Sequence, residues 1–243
     1  MIRDLDFILK RYCVSYDDIF LWDTTVVLRI PWEQALERWR LFRRIAHQTQ
    51  HYPLILGDLT TSHAEQLSFT QNDHFDQQME RAQRLDIAHI ILERLQTEIH
   101  SIPRGEYPPV MHIPPIREEH FFTLDRRLTK PSADVFIGLF PTLVSHEIPI
   151  YLNFGGWSAC PSPEEHLAFW KHWNKRYGAE AVVLTGDVLE MRVSRPPQDH
   201  TQAYELAFEQ YTYCENIVSH GLETIDYLAA ALLGSPNWYF WWI

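Results

Sequence analysis

The last basic residue of the chain is Arg195, and beyond it stand Asp199, Glu205, Glu209, Glu215, Glu223 and Asp226 with no lysine or arginine among them. Glu205 and Glu209 are four residues apart, the spacing that puts two side chains on one face of a helix, where like charges repel. A cationic ligand would relieve that repulsion. Glu205 and Glu209, with Asp199 and Glu215 beside them, are therefore the candidate contacts for a basic protein partner. The competing explanation is a solvated acidic face that serves solubility.

A second set of residues could carry acid–base or nucleophilic chemistry. Asp58 and Asp187 each follow an apolar, strand-like run as part of a Gly-Asp pair, a position where α/β enzymes often keep reactive carboxylates. His51 is the candidate base to accompany either one in a hydrolase-type site, although Gly-Asp is also ordinary turn chemistry. Cys160 lies just before a helix start, where the dipole lowers a thiol pKa, while Glu164 and Glu165 oppose that effect. A buried, inert thiol is the simpler expectation for Cys160 and for Cys214. His47 and His51 are spaced i, i+4 without an accompanying H-E-x-x-H, and His166 and His172 are six apart, so no metal site is expected. Gly155-Gly156 resembles a phosphate cradle in outline. It lacks a G-x-G-x-x-G pattern or a Walker lysine, and two glutamates occupy the helix's first turn, so no cofactor is expected.

These residues need elements to position them. Residues 1–12 read as an amphipathic helix, 24–30 as a strand, Pro31 onward to about Thr49 as a helix, and 52–56 as a second strand. Residues 75–99 read as one long helix with a single apolar face. Pro103, Pro108, Pro109, Pro114, Pro115 and Pro131 then interrupt any regular element. The second half should hold strands at 134–140 and 148–154, and a helix opened by a Ser162-Pro163-Glu164-Glu165 capping box and closed by Gly178. After these come strands 182–184 and 188–193 about a Gly186-Asp187 turn, helices near 199–214 and 221–233, and a strand 238–242.

Glu33, Leu36 and Trp39 recur as Glu164, Leu167 and Trp170 at identical spacing. Each set sits in a helix flanked by strands, so two β-α-β units with parallel pairing are expected. The fold class is α/β (an α+β mixed sheet) with helices packed on the sheet. An N-terminal part spans 1–100, a proline-rich connector 101–133 and a C-terminal module 134–243. Trp238, Tyr239, Phe240, Trp241 and Trp242 project large rings to both faces, so this strand should be buried within the sheet.

Composition narrows the function classes. The chain has 243 residues, 32 acidic and 21 basic, for a net charge of −11, the wrong sign for a nucleic-acid contact face. The apolar runs at 227–234 and 238–243 are far below the ~20 residues that span a bilayer, and Asp4 and Asp6 occupy the place of an export signal. Three cysteines, Cys13, Cys160 and Cys214, suit a reducing compartment. A soluble, cytoplasmic protein that contacts neither nucleic acid nor membrane is expected.

The motifs of the second half are specific in combination: Phe140-Pro141, Tyr151-Leu152-Asn153-Phe154-Gly155-Gly156-Trp157, Cys160 through His166, Tyr177-Gly178-Ala179-Glu180, Arg195-Pro196-Pro197, Glu209 through Cys214, and Trp238 through Trp242. Together they resemble the bacterial proteins catalogued as domain of unknown function 4253, densely over 135–243 and loosely through Trp32 to Gly57-Asp58. Members of that group usually end in an acidic residue after the paired tryptophans, where this chain has Ile243. The resemblance supplies no catalytic residues. The residues themselves favour a non-catalytic acidic binding protein, such as an immunity protein that inhibits a basic toxin, over a hydrolase working through Asp58 or Asp187.

Overall fold

The computed structural model describes residues 18–22, 25–58, 74–98, 101–105, 120–125 and 134–243. Their seven strands form one mixed sheet in the order β1-β2-β4-β3-β5-β6-β7. The strands are β1 (Asp18–Trp22), β2 (Thr25–Pro31), β3 (Tyr52–Gly57), β4 (Asp134–Phe140), β5 (Ala179–Leu184), β6 (Val188–Val193) and β7 (Asn237–Trp241). Every neighbouring pair is antiparallel except β3 and β5, which run parallel with Ile55 opposite Val183. β3 thus lies between two strands of the second half, and the sheet is continuous across the proline-rich stretch.

Alternation along the strands sends side chains to two cores. On one face, helix α1 (Ala35–Arg44) lays Trp39 and Phe42 over Val26, Leu28, Ile55 and Ile137. The short α2 (Ala46–Thr49) follows it and stops where Gln50 turns left-handed at φ 57°. The other face takes α6 (Pro163–Tyr177), α7 (His200–Tyr213) and α8 (Ile225–Leu232), whose aromatic and aliphatic residues pack on Leu184, Leu189, Met191 and Phe240. Helix α3 (Phe75–Arg84) rests Met79 and Ala82 against Ile150 and Leu167. No helix among the described residues is long and apolar enough to cross a membrane.

Local signals behave as the sequence indicates. Ser162 accepts the Glu165 amide and Glu165 caps the Ser162 amide in return, Pro163 opens α6, and Gly178 closes it at φ 62°. Three expectations are corrected. Residues 148–154 are not a strand, because helix α5 (Ile148–Tyr151) buries Ile148, Pro149 and Ile150 there, with a proline in its first turn. The second β-α-β unit therefore lacks its leading strand. The helix–strand part of the repeat does persist, since α1 leads to β3 and α6 to β5, the two central parallel strands. The expected single helix over 75–99 is two, α3 and α4 (Ile87–Glu98), because Leu85 is extended at ψ 128° and Asp86 accepts the His89 amide to start a new helix. The terminal strand is at the sheet edge rather than within it. Its rings are nonetheless covered on both faces: Trp238, Phe240 and Trp242 are 2%, 0% and 3% exposed toward α6 and α7, and Tyr239 meets Phe122 edge-on at 5.4 Å. The expected helix at 1–12 lies outside the described residues.

Two buried carboxylates fasten the described parts of the proline-rich stretch. Glu190 on β6 accepts the Phe122 and Thr123 amides at 2.7 and 2.8 Å, and Asp226 on α8 accepts the Gly105 amide at 2.7 Å. Burial raises the Glu190 pKa, and the two amides act in the opposite direction.

The helical face is organised by a polar chain inside an aromatic cluster. Trp170 Nε1 donates to the Tyr213 hydroxyl at 2.8 Å, and that oxygen is 2.6 Å from His166 Nδ1. An indole nitrogen only donates, so the Tyr213 proton is left for Nδ1, which puts the His166 proton on Nε2, 3.4 Å from Cys160 Sγ. Burial pushes the His166 pKa down to about 3, and the ring stays neutral in the fold.

Two outcomes follow for stability. In the unfolded chain His166 titrates near ~6.5, so below that pH the unfolded state binds a proton that the fold refuses. Stability conferred by the neutral ring is complete above about 6.5 and is lost as pH falls toward 3, by at most about 1.4 kcal/mol per pH unit. Chemical denaturation across pH 6 to 4 should show a shallower slope for His166→Gln than for the wild type, and equal slopes would remove His166 from the acid response. Deleting Trp238 to Ile243 strips three buried rings from α6 and α7, each worth on the order of 4–6 kcal/mol as an upper value, against a total of about 5–15 kcal/mol. The truncated chain should show no cooperative melt by circular dichroism, and an unchanged melt would refute this.

Candidate functional site

Beside the break between α3 and α4 lies a concavity that includes two of the expected acidic residues, Glu205 and Glu209. It is a groove of about 940 Å³ with α4 as one wall and α6 and α7 as the other. From the turn and α4 come Leu85, Asp86, Ile87, Ala88, Ile91, Leu92 and Leu95; from α6 come His172 and Arg176; from α7 come Glu205, Phe208 and Glu209. The spacing of Ile87, Ile91 and Leu95, with Ala88 and Leu92, is that of one helical face. Leu92 is 55% exposed, a large apolar side chain that the fold leaves in water. Arg94 holds this wall in place by donating to the Thr212 carbonyl at 2.9 Å and pairing with Glu165 of the α6 capping box. α4 thereby runs alongside α7, and the start of both helices shares one end of the groove with the close of α6.

That end is charged. Glu209 Oε1 accepts from Arg176 Nη1 at 2.8 Å, its Oε2 accepts from Trp173 Nε1 at 2.9 Å, and His172 Nε2 lies 3.3 Å from the same oxygen. The other Arg176 nitrogen pairs with Glu205. The expectation of two glutamates without a neutralising partner is therefore corrected. Arg176 reaches them from a helix 29 and 33 residues earlier in the chain, which no local reading of α7 reveals. The two carboxylates differ in kind. The Glu209 side chain is 10% exposed and tied to the core, whereas that of Glu205 is 54% exposed and that of Arg176 35%, so their pair is worth only about 0.2–1 kcal/mol.

The remaining candidates are elsewhere. Asp199 caps α7, accepting the Gln202 amide at 2.9 Å, and neither it nor the exposed Glu215 lines the groove. Asp58 and Asp187 do come to the same end of the sheet, since β3 and β5 are parallel and Gly57 sits against Thr185. Asp187 is occupied in the β5–β6 turn, where its carboxylate faces the Thr185 hydroxyl at 3.4 Å and its carbonyl takes the Trp242 amide at 3.0 Å. His51 is at the opposite end of β3, about 23 Å from Asp58 at roughly 3.3 Å per residue, beyond the reach of an acid–base pair. It is buried, its Nδ1 donates to the Thr49 carbonyl, and its Nε2 has no hydrogen-bond partner among the described residues. Cys160 is buried beside His166, and burial raises its thiol pKa, so it remains protonated. Burial likewise pushes Cys214 up to about 12. Gly155 and Gly156 form a tight turn at φ 109° and 81°, with the Gly156 amide spent on the Cys160 and Pro161 carbonyls. Among the described residues no group of three or more His, Cys, Asp or Glu side chains could hold a metal ion.

Sequence reasoning found Glu205 and Glu209 and weighed His172 only as a metal ligand, but missed Arg176, Phe208 and the α4 wall. One signal was available for the wall: Asp86 with an amide acceptor geometry three residues on, directly after Arg84-Leu85, is a helix start inside an otherwise continuous periodicity.

No curated protein and no solved structure matches the chain. The model of one family does match, and it covers α6 and α7 but not α3 or α4. Residues 136–242 match the family described as Domain of unknown function (DUF4253).

Proposed function

We propose that this is a non-catalytic binding protein whose α4–α6–α7 groove takes up an amphipathic, positively charged helix of a protein partner, in the manner of an inhibitor or immunity protein that captures a basic toxin. The observation that carries this reading is the union in one groove of an apolar wall, with Leu92 exposed upon it, and an acidic end. The wall from Leu85 to Leu95 is about 15 Å long at 1.5 Å per residue, which suits roughly three turns of a helix presenting anchors at i, i+3, i+4 and i+7. Asp86, Glu205 and Glu209 outnumber Arg176 at the groove, and the net charge of −11 draws a basic partner from a distance. Among the described residues the lining holds no serine, cysteine or lysine, and its histidine is beside Glu209.

The probe is a fluorescently labelled helical peptide of about four turns with leucines on one face and basic residues on the other, compared with the same peptide carrying glutamates. The basic peptide should bind, and the acidic one should not. Leu92→Asp should weaken binding by about tenfold or more, the value of one lost leucine contact, with an unchanged thermal melt because Leu92 is exposed in the free protein. Equal affinity for the two peptides, or an unaffected Leu92→Asp variant, would overturn the proposal.

A further inference from the structure

The charged end of the groove is already a guanidinium site, filled from within. Arg176 spans Glu205 and Glu209, and the two acceptors hold it very unequally. Glu209 is committed: Trp173 and Arg176 use both of its oxygens, and it is buried between α6 and α7. Glu205 extends into solvent and meets Arg176 through Oε2. On the same face of α7, three residues along, Phe208 offers a half-buried ring to the groove, and a guanidinium already stacks on that ring from the 101–105 segment, with Arg104 Cζ 5.9 Å from its centroid. A carboxylate with an aromatic face one turn away matches the flat, forked cation of arginine better than the compact, strongly hydrated cation of lysine.

Resting on the groove reading above, we infer that Glu205 is the specificity-determining residue of the site: it exchanges Arg176 for an arginine of the bound helix, whose guanidinium lies against Phe208 while Arg176 stays on Glu209. The exchange conserves ion pairs. Glu205 trades one guanidinium for another, and Arg176 keeps its 2.8 Å bond to Glu209, so no carboxylate or guanidinium is left buried without a partner. The internal pair also discriminates. A ligand without a cation at this position gains the apolar wall but cannot take Glu205 from Arg176, and an anionic ligand meets the excess of Asp86, Glu205 and Glu209 over Arg176.

The experiment uses the full chain and two peptides with the same leucine pattern, one with arginine and one with lysine at the polar positions. Wild type should favour the arginine peptide by about fivefold or more. Glu205→Gln should weaken the arginine peptide by about tenfold and erase the arginine preference, with an unchanged melt because Glu205 is half exposed. Arg176→Gln, which removes the competitor, should tighten it. As a contrast, Glu209→Gln should lower the melting temperature, since it disturbs the acceptor of Trp173. If Leu92→Asp abolishes binding while Glu205→Gln leaves both affinity and arginine preference intact, the groove stands and the role of Glu205 is refuted. If neither peptide binds wild type, both fall together.

Discussion

Two tryptophans of α6 place their indole N–H groups inside an aromatic core, and α7 supplies the acceptors that satisfy them. Trp170 donates to Tyr213 and Trp173 to Glu209, residues one helical turn apart on both helices. Leaving such a buried donor unpaired costs about 1–3 kcal/mol, so sliding α6 along α7 would forfeit both bonds at once. The pairing fixes the register of the two helices, and through that register most else follows. It sets Arg176 opposite Glu205 and Glu209, holds His166 against Cys160, and gives β7 a surface on which Trp173 and Phe240 stack at 5.5 Å.

This constraint explains what the family match means physically. The motifs that carry it converge on one place. Phe154 and Trp242 flank His166, the Gly155-Gly156 turn admits the backbone of Pro161, and Tyr213 joins His166 to Trp170. A Cβ on Gly155 would lie 2.0 Å from the Pro161 carbonyl oxygen, so that glycine is required by packing rather than by a ligand. These residues of the matched range build a core. The groove is half inside the matched region and half outside it, because α4 precedes residue 136.

What the sequence disclosed and what it withheld divide along the range of the interactions. The α6 capping box, its glycine end, the Asp187 turn and the burial of the terminal rings were legible because each depends on residues within a few positions or on the bulk of side chains that water cannot accommodate. Residues 148–154 were read as a strand because a short apolar run has no period to tell a buried helix from a buried strand, and the proline in the first turn was the discriminating sign. The sheet order was not legible, since the place of β3 between β4 and β5 depends on contacts far apart in the chain. Glu205 and Glu209 were found as a pair, but Arg176 was invisible from α7. Charge counted along a sequence is not charge counted in space.

The attachment of the proline-rich stretch has a consequence for how its sequence can vary. Glu190 grips the chain at the backbone amides of Phe122 and Thr123, and the Thr123 side chain adds to that grip. Every amino acid but one presents the same N–H there. The two amides are main-chain donors, and the one replacement that removes either of them is proline, which would take a hydrogen bond from a buried carboxylate. In a stretch already rich in prolines, Gly105, Phe122 and Thr123 are positions where another would cost a buried carboxylate its amide, while Ile102 and Phe121 hold the same segments by burying their side chains in the two cores.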